Sequence, residues 1–231
     1  MTILQEQQII ESWYKNAKSW TDAIKNKQIA SREHTTNQAV IDAILTYSPK
    51  TVLDIGCGEG WLTRTLTSHN INTYGIDTVP ELIAYAQHQG QGKFSLMSYD
   101  NINPNTIQDK FDIAVCNFSL FGKHSVNNLI KKIPRLLNDK GYFILQTLHP
   151  LIEHNNRVYQ DGWREGSWCS CGNSFSDPAP WYFRTLASWV DLLADCHFLV
   201  TSIKEPKPQD TPHPLSIIFI CQKTEIDHHT S

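Results

Sequence analysis

Three glycines separated by single residues, in Asp54-Ile-Gly56-Cys-Gly58-Glu-Gly60, stand where a short apolar run gives way to an amphipathic stretch. Glycine lets such a turn tighten and lets the backbone approach a ligand, while the free N–H groups of a following helix favour an anionic group. A dinucleotide fingerprint would place its third glycine at position 61, which is Trp61, so the spacing is G-x-G-x-G and not G-x-G-x-x-G. Asp77, 21 residues after Gly56, closes the next apolar run. A carboxylate there can accept hydrogen bonds from both hydroxyls of an adenosine ribose. Asp54, at the head of the loop, suits a ligand carrying positive charge better than a pyrophosphate. The pattern points to a cationic nucleoside, not a dinucleotide.

Further along, His149 in Gln146-Thr-Leu-His149-Pro150 is the candidate general base, because its ordinary pKa lies near neutrality and it follows an apolar run. Glu153 and His154 come just behind it. Four of the seven tryptophans (Trp163, Trp168, Trp181, Trp189) fall within 27 residues. With Tyr159, Phe175 and Tyr182 they could wall a flat or apolar acceptor, or pack the segment against the core. Arg184 could bind an anionic group of that acceptor or cap local carbonyls. Cys169-Ser-Cys171 lacks the C-x₂-C spacing of structural zinc sites, so no metal is expected. His228-His229 reads as a solvated tail.

These residues need a scaffold, and the apolar pattern supplies one. Runs at 51–55, 73–77, 93–98, 111–116 and 142–147 read as buried strands, and helical spacing at 61–68, 80–89 and 126–137 separates them. Strand and helix in alternation imply right-handed crossovers and a parallel sheet covered on both faces. Residues 185–196 return to helix, and 198–203 and 215–220 form an antiparallel pair across a proline-rich loop. The expected fold is α/β, a Rossmann-like, doubly wound, seven-stranded and mostly parallel sheet with an antiparallel edge pair. It is read as one domain: helices at 9–29 and 37–45 forming an N-terminal lid over 1–48, a cofactor-binding core over 49–149, an aromatic insertion at 150–183, and a closing helix with two strands at 184–231.

Composition narrows the function. Lys+Arg number 20 against 23 Asp+Glu, a net charge of −3 with no basic stripe, which disfavours nucleic-acid substrates. The longest apolar run, residues 217–221, is far too short to span a bilayer, for which about 18 are needed. No secretory signal is visible at the N-terminus, and three of the six cysteines (Cys57, Cys116, Cys221) lie in strands or the glycine loop, so a reduced, cytoplasmic protein is expected.

Val-Leu-Asp54-Ile-Gly56-Cys-Gly58-Glu-Gly60 followed by Gly75-Ile-Asp77 resembles the class I S-adenosylmethionine-dependent methyltransferases. The likeness covers roughly residues 50–150, and Arg184-Thr-Leu…Trp189…Leu193…Glu205-Pro206 is similar to their small-molecule and quinone-type branch. It implies that the loop with Gly56, Cys57, Gly58 and Trp61 passes under the aminoacyl part of the cofactor and that Asp77, with Thr78 beside it, holds the ribose. It places Ser98, Tyr99 and Asp100 on the adenine, with Ser98 or Asp100 as the adenine acceptor. Cys116, Asn117 and Phe118 contact the methionyl amine through their backbone. Trp13, Trp20 and Arg32 fall in the helical lid, where an arginine can pair with the cofactor carboxylate. The implied activity is methyl transfer to oxygen, nitrogen or carbon of a small molecule. A nicotinamide oxidoreductase and a cofactor-binding module without chemistry are the alternatives.

Overall fold

Val52 and Leu53 open the first strand facing opposite ways, and neither has any exposed surface, so the sheet they begin must be covered on both sides. The computed structural model describes residues 2–151, 158–169, 171–172 and 174–225. Its core is a parallel ribbon of β1 (Thr51–Ile55), β2 (Asn72–Asp77), β3 (Lys93–Leu96), β4 (Phe111–Asn117) and β5 (Leu137–Thr147). A separate two-stranded antiparallel ladder of three residue pairs joins β6 (Gly162–Arg164) to β7 (Trp181–Phe183), and β8 (Phe198–Lys204) and β9 (Ile217–Lys223) complete the main sheet. The order is β3-β2-β1-β4-β5-β9-β8, with β9 antiparallel to both β5 and β8. The expected seven-stranded sheet with its antiparallel edge pair is therefore present.

Six α-helices surround it: α1 (Thr2–Lys25), α2 (Asn37–Leu45), α3 (Trp61–Ser68), α4 (Pro80–His88), α5 (His124–Lys132) and α6 (Leu186–Asp195). On one face Leu53, Ile55, Phe143 and Leu145 pack with Leu129 and Ile130 of α5 and Trp189 and Leu193 of α6. On the other, Val52, Val115 and Ile144 meet Ile41 and Ile44 of α2 and Leu62 and Leu66 of α3. Each such side chain contributes about 1.5–3 kcal/mol on burial, which is what holds the carboxyl ends of β1, β2 and β4 at one edge.

Several elements differ from the sequence reading, among them the strand expected over 142–147, which begins at Leu137. The first helix runs 2–25 and not 9–29, because the chain turns at Lys27 in the left-handed region (φ 54°) before a π-helical segment, Arg32–Thr36. The helix expected over 126–137 ends at Lys132; Pro134 lacks the N–H that would continue it, and a 3-10 turn follows. In the insertion, the β6–β7 pair was not expected at all.

α1 is fastened from both sides. The Glu6 carboxylate accepts hydrogen bonds from the backbone N–H groups of Lys123, His124 and Ser125 at 2.5–3.3 Å, satisfying the open N-terminus of α5. One helical stripe, Ser12, Asn16 and Ser19, bonds the backbone of residues 174–177, with the buried Asn16 amide donating to Ser176 O (2.8 Å) and accepting from Ser176 N (2.9 Å). The neighbouring stripe carries Trp13 and Trp20, whose rings meet edge to face at 5.1 Å. The helix thereby roofs the strand ends.

Candidate functional site

Gly56, Gly58 and Gly60 all have positive φ (75°, 58°, 85°), so the loop leaving β1 is built from left-handed turns that other residues resist. At Gly56 the reason is also space, since a Cβ would lie 2.4 Å from the Ser119 Cβ. The loop is tied to the end of β2. Gly56 and Cys57 N–H donate to Ile76 O (2.8 and 3.0 Å), and the Asp77 carboxylate accepts from Gly58 N–H (2.9 Å) and Val79 N–H (2.9 Å). Burial raises the Asp77 pKa, and the backbone donors of Val79 and Gly58 oppose the rise.

A cavity of about 370 Å³ opens above this loop, lined by Gly56, Cys57, Gly58, Trp61, Asp77, Thr78, Ser98, Tyr99, Asp100, Asn117 and Phe118. A second, about 390 Å³, adjoins it beneath the insertion. Trp13, Trp20, Arg32, Phe118 and Phe121 line both. Phe118 sits at this shared wall with φ 51°, a conformation costly for an aromatic residue and held by its N–H bond to Gln146 O (2.8 Å). Tyr99 OH donates to Ser119 O (2.9 Å), and Lys132 Nζ bonds the carbonyls of Tyr99 and Asp100 (2.9 Å each), fixing the far end of the first cavity.

Arg32 is buried between two indoles, its guanidinium 5.1 Å from the Trp20 ring centre and 5.0 Å from that of Trp61. Its Nε and Nη2 have no hydrogen-bond partner. Desolvation lowers its pKa, with Glu59 the first opposing charge. Glu59 is itself buried, accepting from Trp20 Nε1 (3.0 Å) and Trp61 N–H (3.2 Å), and neither sequence motif nor spacing singled it out. Nε and Nη2 form the edge that takes a carboxylate in two parallel bonds, so an unpaired edge here is a seat for one.

Two expected cofactor residues lie away from the cavity lining. Cys116 is wholly buried within β4, its thiol pKa pushed up by burial. Asp54 lies under the loop, accepting from Thr63 Oγ1 at 2.8 Å. Burial drives the Asp54 carboxyl from 3.8 to about 7, with Glu59 and Asp77 adding to the rise and Thr63 opposing it. Because the folded value exceeds the unfolded one, the folded chain holds the extra proton between about pH 4 and 7, and this group makes stability fall as pH rises through that window. Asp54→Asn keeps the acceptor for Thr63 and is expected to raise stability on the order of 2 kcal/mol at pH 8 with little change at pH 4, read from urea midpoints at the two pH values.

His149 is not brought to either cavity. It is buried, Nδ1 accepts from Leu151 N–H (3.2 Å), and Nε2 bonds Glu205 Oε1 (2.7 Å). An accepting Nδ1 places the neutral ring's proton on Nε2, so both nitrogens are engaged and the expected base is a clasp between the end of β5 and residue 205. Glu153, His154, His228 and His229 lie outside the described residues. Of the expected acceptor residues, Trp168 and Trp181 line the second cavity. Tyr159, Trp163, Tyr182 and Arg184 do not. Tyr159 OH accepts from Leu186 N–H (2.8 Å), Trp163 packs on Tyr182 (5.5 Å), and Arg184 holds the Gly122 and Lys123 carbonyls. Among the described residues no three His, Cys, Asp or Glu side chains cluster as metal ligands, and no helix is long and apolar enough to cross a membrane.

A glycine loop leaving β1, an acidic residue ending β2 and a β9 strand running against β5 together define the α/β methyltransferase architecture. The chain belongs to the methyltransferase domain family, whose model matches residues 30–199. Among curated relatives, a putative methyltransferase 235L of Invertebrate iridescent virus 6 is 29% identical over 57% of this chain and 51% of its own length. A ubiquinone biosynthesis O-methyltransferase of Glaesserella parasuis is 26% identical over 62% of this chain and 65% of that protein. The chain thus spans about half to two thirds of the length of these relatives. The fold is shared with S-adenosylmethionine-dependent methyltransferases. Magnesium protoporphyrin IX methyltransferase from Synechocystis PCC 6803, with bound SAH, has a TM-score of 0.66 at 17% identity, covering 94% of this chain and 99% of that one. For 1,6-didemethyltoxoflavin-N1-methyltransferase from Burkholderia thailandensis, bound to 1,6-didemethyltoxoflavin and S-adenosylhomocysteine, the TM-score is 0.65 at 19% identity, covering 96% and 88%.

Proposed function

We propose that this chain transfers the methyl group of S-adenosylmethionine to a small, flat, largely apolar molecule. The observation that carries the reading is the pair of adjoining cavities divided by one wall, the first floored by the glycine loop and Asp77, the second walled by tryptophans. The residues present fit the cofactor. Asp77 lines the cavity with lone pairs left over from its two backbone bonds for a ribose, and the unpaired Arg32 edge suits the aminoacyl carboxylate. The buried Asn117 Oδ1, also without a partner, suits the ammonium.

When bound, the cofactor supplies a sulfonium-activated methyl carbon, which an acceptor lone pair takes while the carbon–sulfur electron pair passes to sulfur. The protein's task is alignment and exclusion of water. Phe118 and Phe121, in the shared wall, border both compartments; α1 closes the roof above them. No histidine reaches the second cavity among the described residues, and its carboxylate, Glu165, is exposed. Catalysis by alignment is the mechanism this geometry supports, with a proton, where the acceptor has one to lose, passing to solvent. Cys57, Cys116, Cys169, Cys196 and Cys221 form no disulfide, which supports the cytoplasmic placement.

Calorimetric titration with S-adenosylmethionine and separately with NADH tests the reading. Heat with the sulfonium and none with NADH is expected; the reverse result overturns it. A metabolite library scored for consumption of labelled cofactor methyl groups then separates an enzyme from a binding module, which would bind the cofactor and methylate nothing.

A further inference from the structure

Buried polar atoms without partners gather on these cavities. Arg32 Nε and Nη2, Thr36 Oγ1 and Trp168 Nε1 all belong to residues of the second cavity, and of these Thr36 and Trp168 line it alone. Thr36 is 3% exposed. The Trp168 indole is held edge to face against Trp13 at 5.3 Å and stacked on Phe175 at 4.9 Å, so its N–H direction is set by packing. An indole N–H only donates, so a ligand that displaces water from the cavity must bring the lone pair that answers it.

We propose, building on the methyltransferase reading, that the acceptor is a neutral aromatic carbonyl compound whose oxygen is held by the Thr36 hydroxyl and the Trp168 indole N–H. The aromatic part follows from the walls, Trp13, Trp181, Phe118 and Phe121, and from a volume of about 390 Å³, which suits two fused rings. The oxygen follows from the two donors. Neutrality follows from the charges that face the cavity. The Arg32 edge is balanced by the cofactor carboxylate, and the remaining ionised side chain on the lining is the acidic Glu165. An anion would meet Glu165 with no free cation to offset it, and a cation would leave Trp168 Nε1 unanswered.

The test uses 2-acetylnaphthalene, 2-ethylnaphthalene and 2-naphthoate, titrated into the full chain saturated with S-adenosylhomocysteine. The ketone is expected to bind about tenfold more tightly than the hydrocarbon, about threefold for each of two net hydrogen bonds, and more tightly than the carboxylate. In Trp168→Phe and in Thr36→Val the ketone's advantage should shrink to about threefold or less, with affinity for S-adenosylhomocysteine and for 2-ethylnaphthalene unchanged. Equal binding of ketone and hydrocarbon, no binding of the ketone, tighter binding of naphthoate, or an advantage that survives both substitutions would overturn the assignment. S-adenosylhomocysteine is titrated first, so that a failure of the cofactor reading registers separately from a failure of the acceptor assignment.

Discussion

Asp77→Ala is expected to weaken S-adenosylmethionine binding by at least about 100-fold, measured by calorimetry on the purified chain. Each hydrogen bond from a ribose hydroxyl to a carboxylate contributes about 1.5–3 kcal/mol, and two of them sum to about 3–6 kcal/mol, or about two to four decades in affinity. The same carboxylate organises the loop. Its oxygens accept from Gly58 and Val79 N–H at 2.9 Å, so alanine leaves both donors open and lets the glycine turns relax. Asp77→Asn is not a mild substitute. An amide offers one oxygen to two inward-pointing N–H groups and sets its own NH₂ against the other, so a loss of about tenfold or more is expected even though size is kept. Affinity should also fall toward acid pH, because burial raises the Asp77 pKa and protonation removes an acceptor the diol needs. Binding unchanged in Asp77→Ala would take the ribose role away from this residue.

What could be read from the chain alone was local. Buried parallel strands are short continuous runs of apolar residues, so 51–55, 111–116 and 142–147 announced themselves, and the glycine loop and Asp77 lie within 24 residues of one another. The core, however, says little about the walls built on it. β6 and β7 are three residues each, too short for any period, and register only as partners across the 16 positions between Arg164 and Trp181. Glu6 carries no signal until its three backbone partners at 123–125 are seen. Arg32 could be proposed for a carboxylate by likeness, but its unpaired edge between Trp20 and Trp61 is a product of tertiary packing. His149 misled because the reading rested on position after a strand. Its partner, Glu205, is 56 residues away and no spacing rule links them. Residue type suggested chemistry at both Arg32 and His149; only the count of satisfied polar atoms separates the one that awaits a ligand from the one that does not.

The same count decides Arg184, which the sequence offered as either an anion binder or a cap. Its guanidinium donates to Gly122 O (3.0 Å), Lys123 O (2.9 Å) and Asn127 Oδ1 (2.9 Å), and stacks between Tyr182 and Trp189, each ring centre 4.9 Å away. Three of its five N–H groups are thus engaged within the protein, and the side chain lines neither cavity. Burial lowers its pKa to about 10, so it stays charged at neutral pH, and the carbonyls it holds lie where the chain leaves β4 for α5. Those residues follow Phe121, whose carbonyl in turn accepts from Tyr182 N–H at 2.7 Å, tying the insertion to the shared wall of the two cavities. Arg184→Ala removes three donors, strands two carbonyls and an amide oxygen in a buried site, and empties the space between two rings. A loss of about 3–5 kcal/mol in unfolding free energy is expected from urea titration. Arg184→Met refills most of the volume but not the donors, so it should recover only part of that loss. An anion-binding residue would behave in the opposite way, sparing stability and costing acceptor affinity. A stable Arg184→Ala chain with impaired turnover would therefore return this residue to the acceptor site.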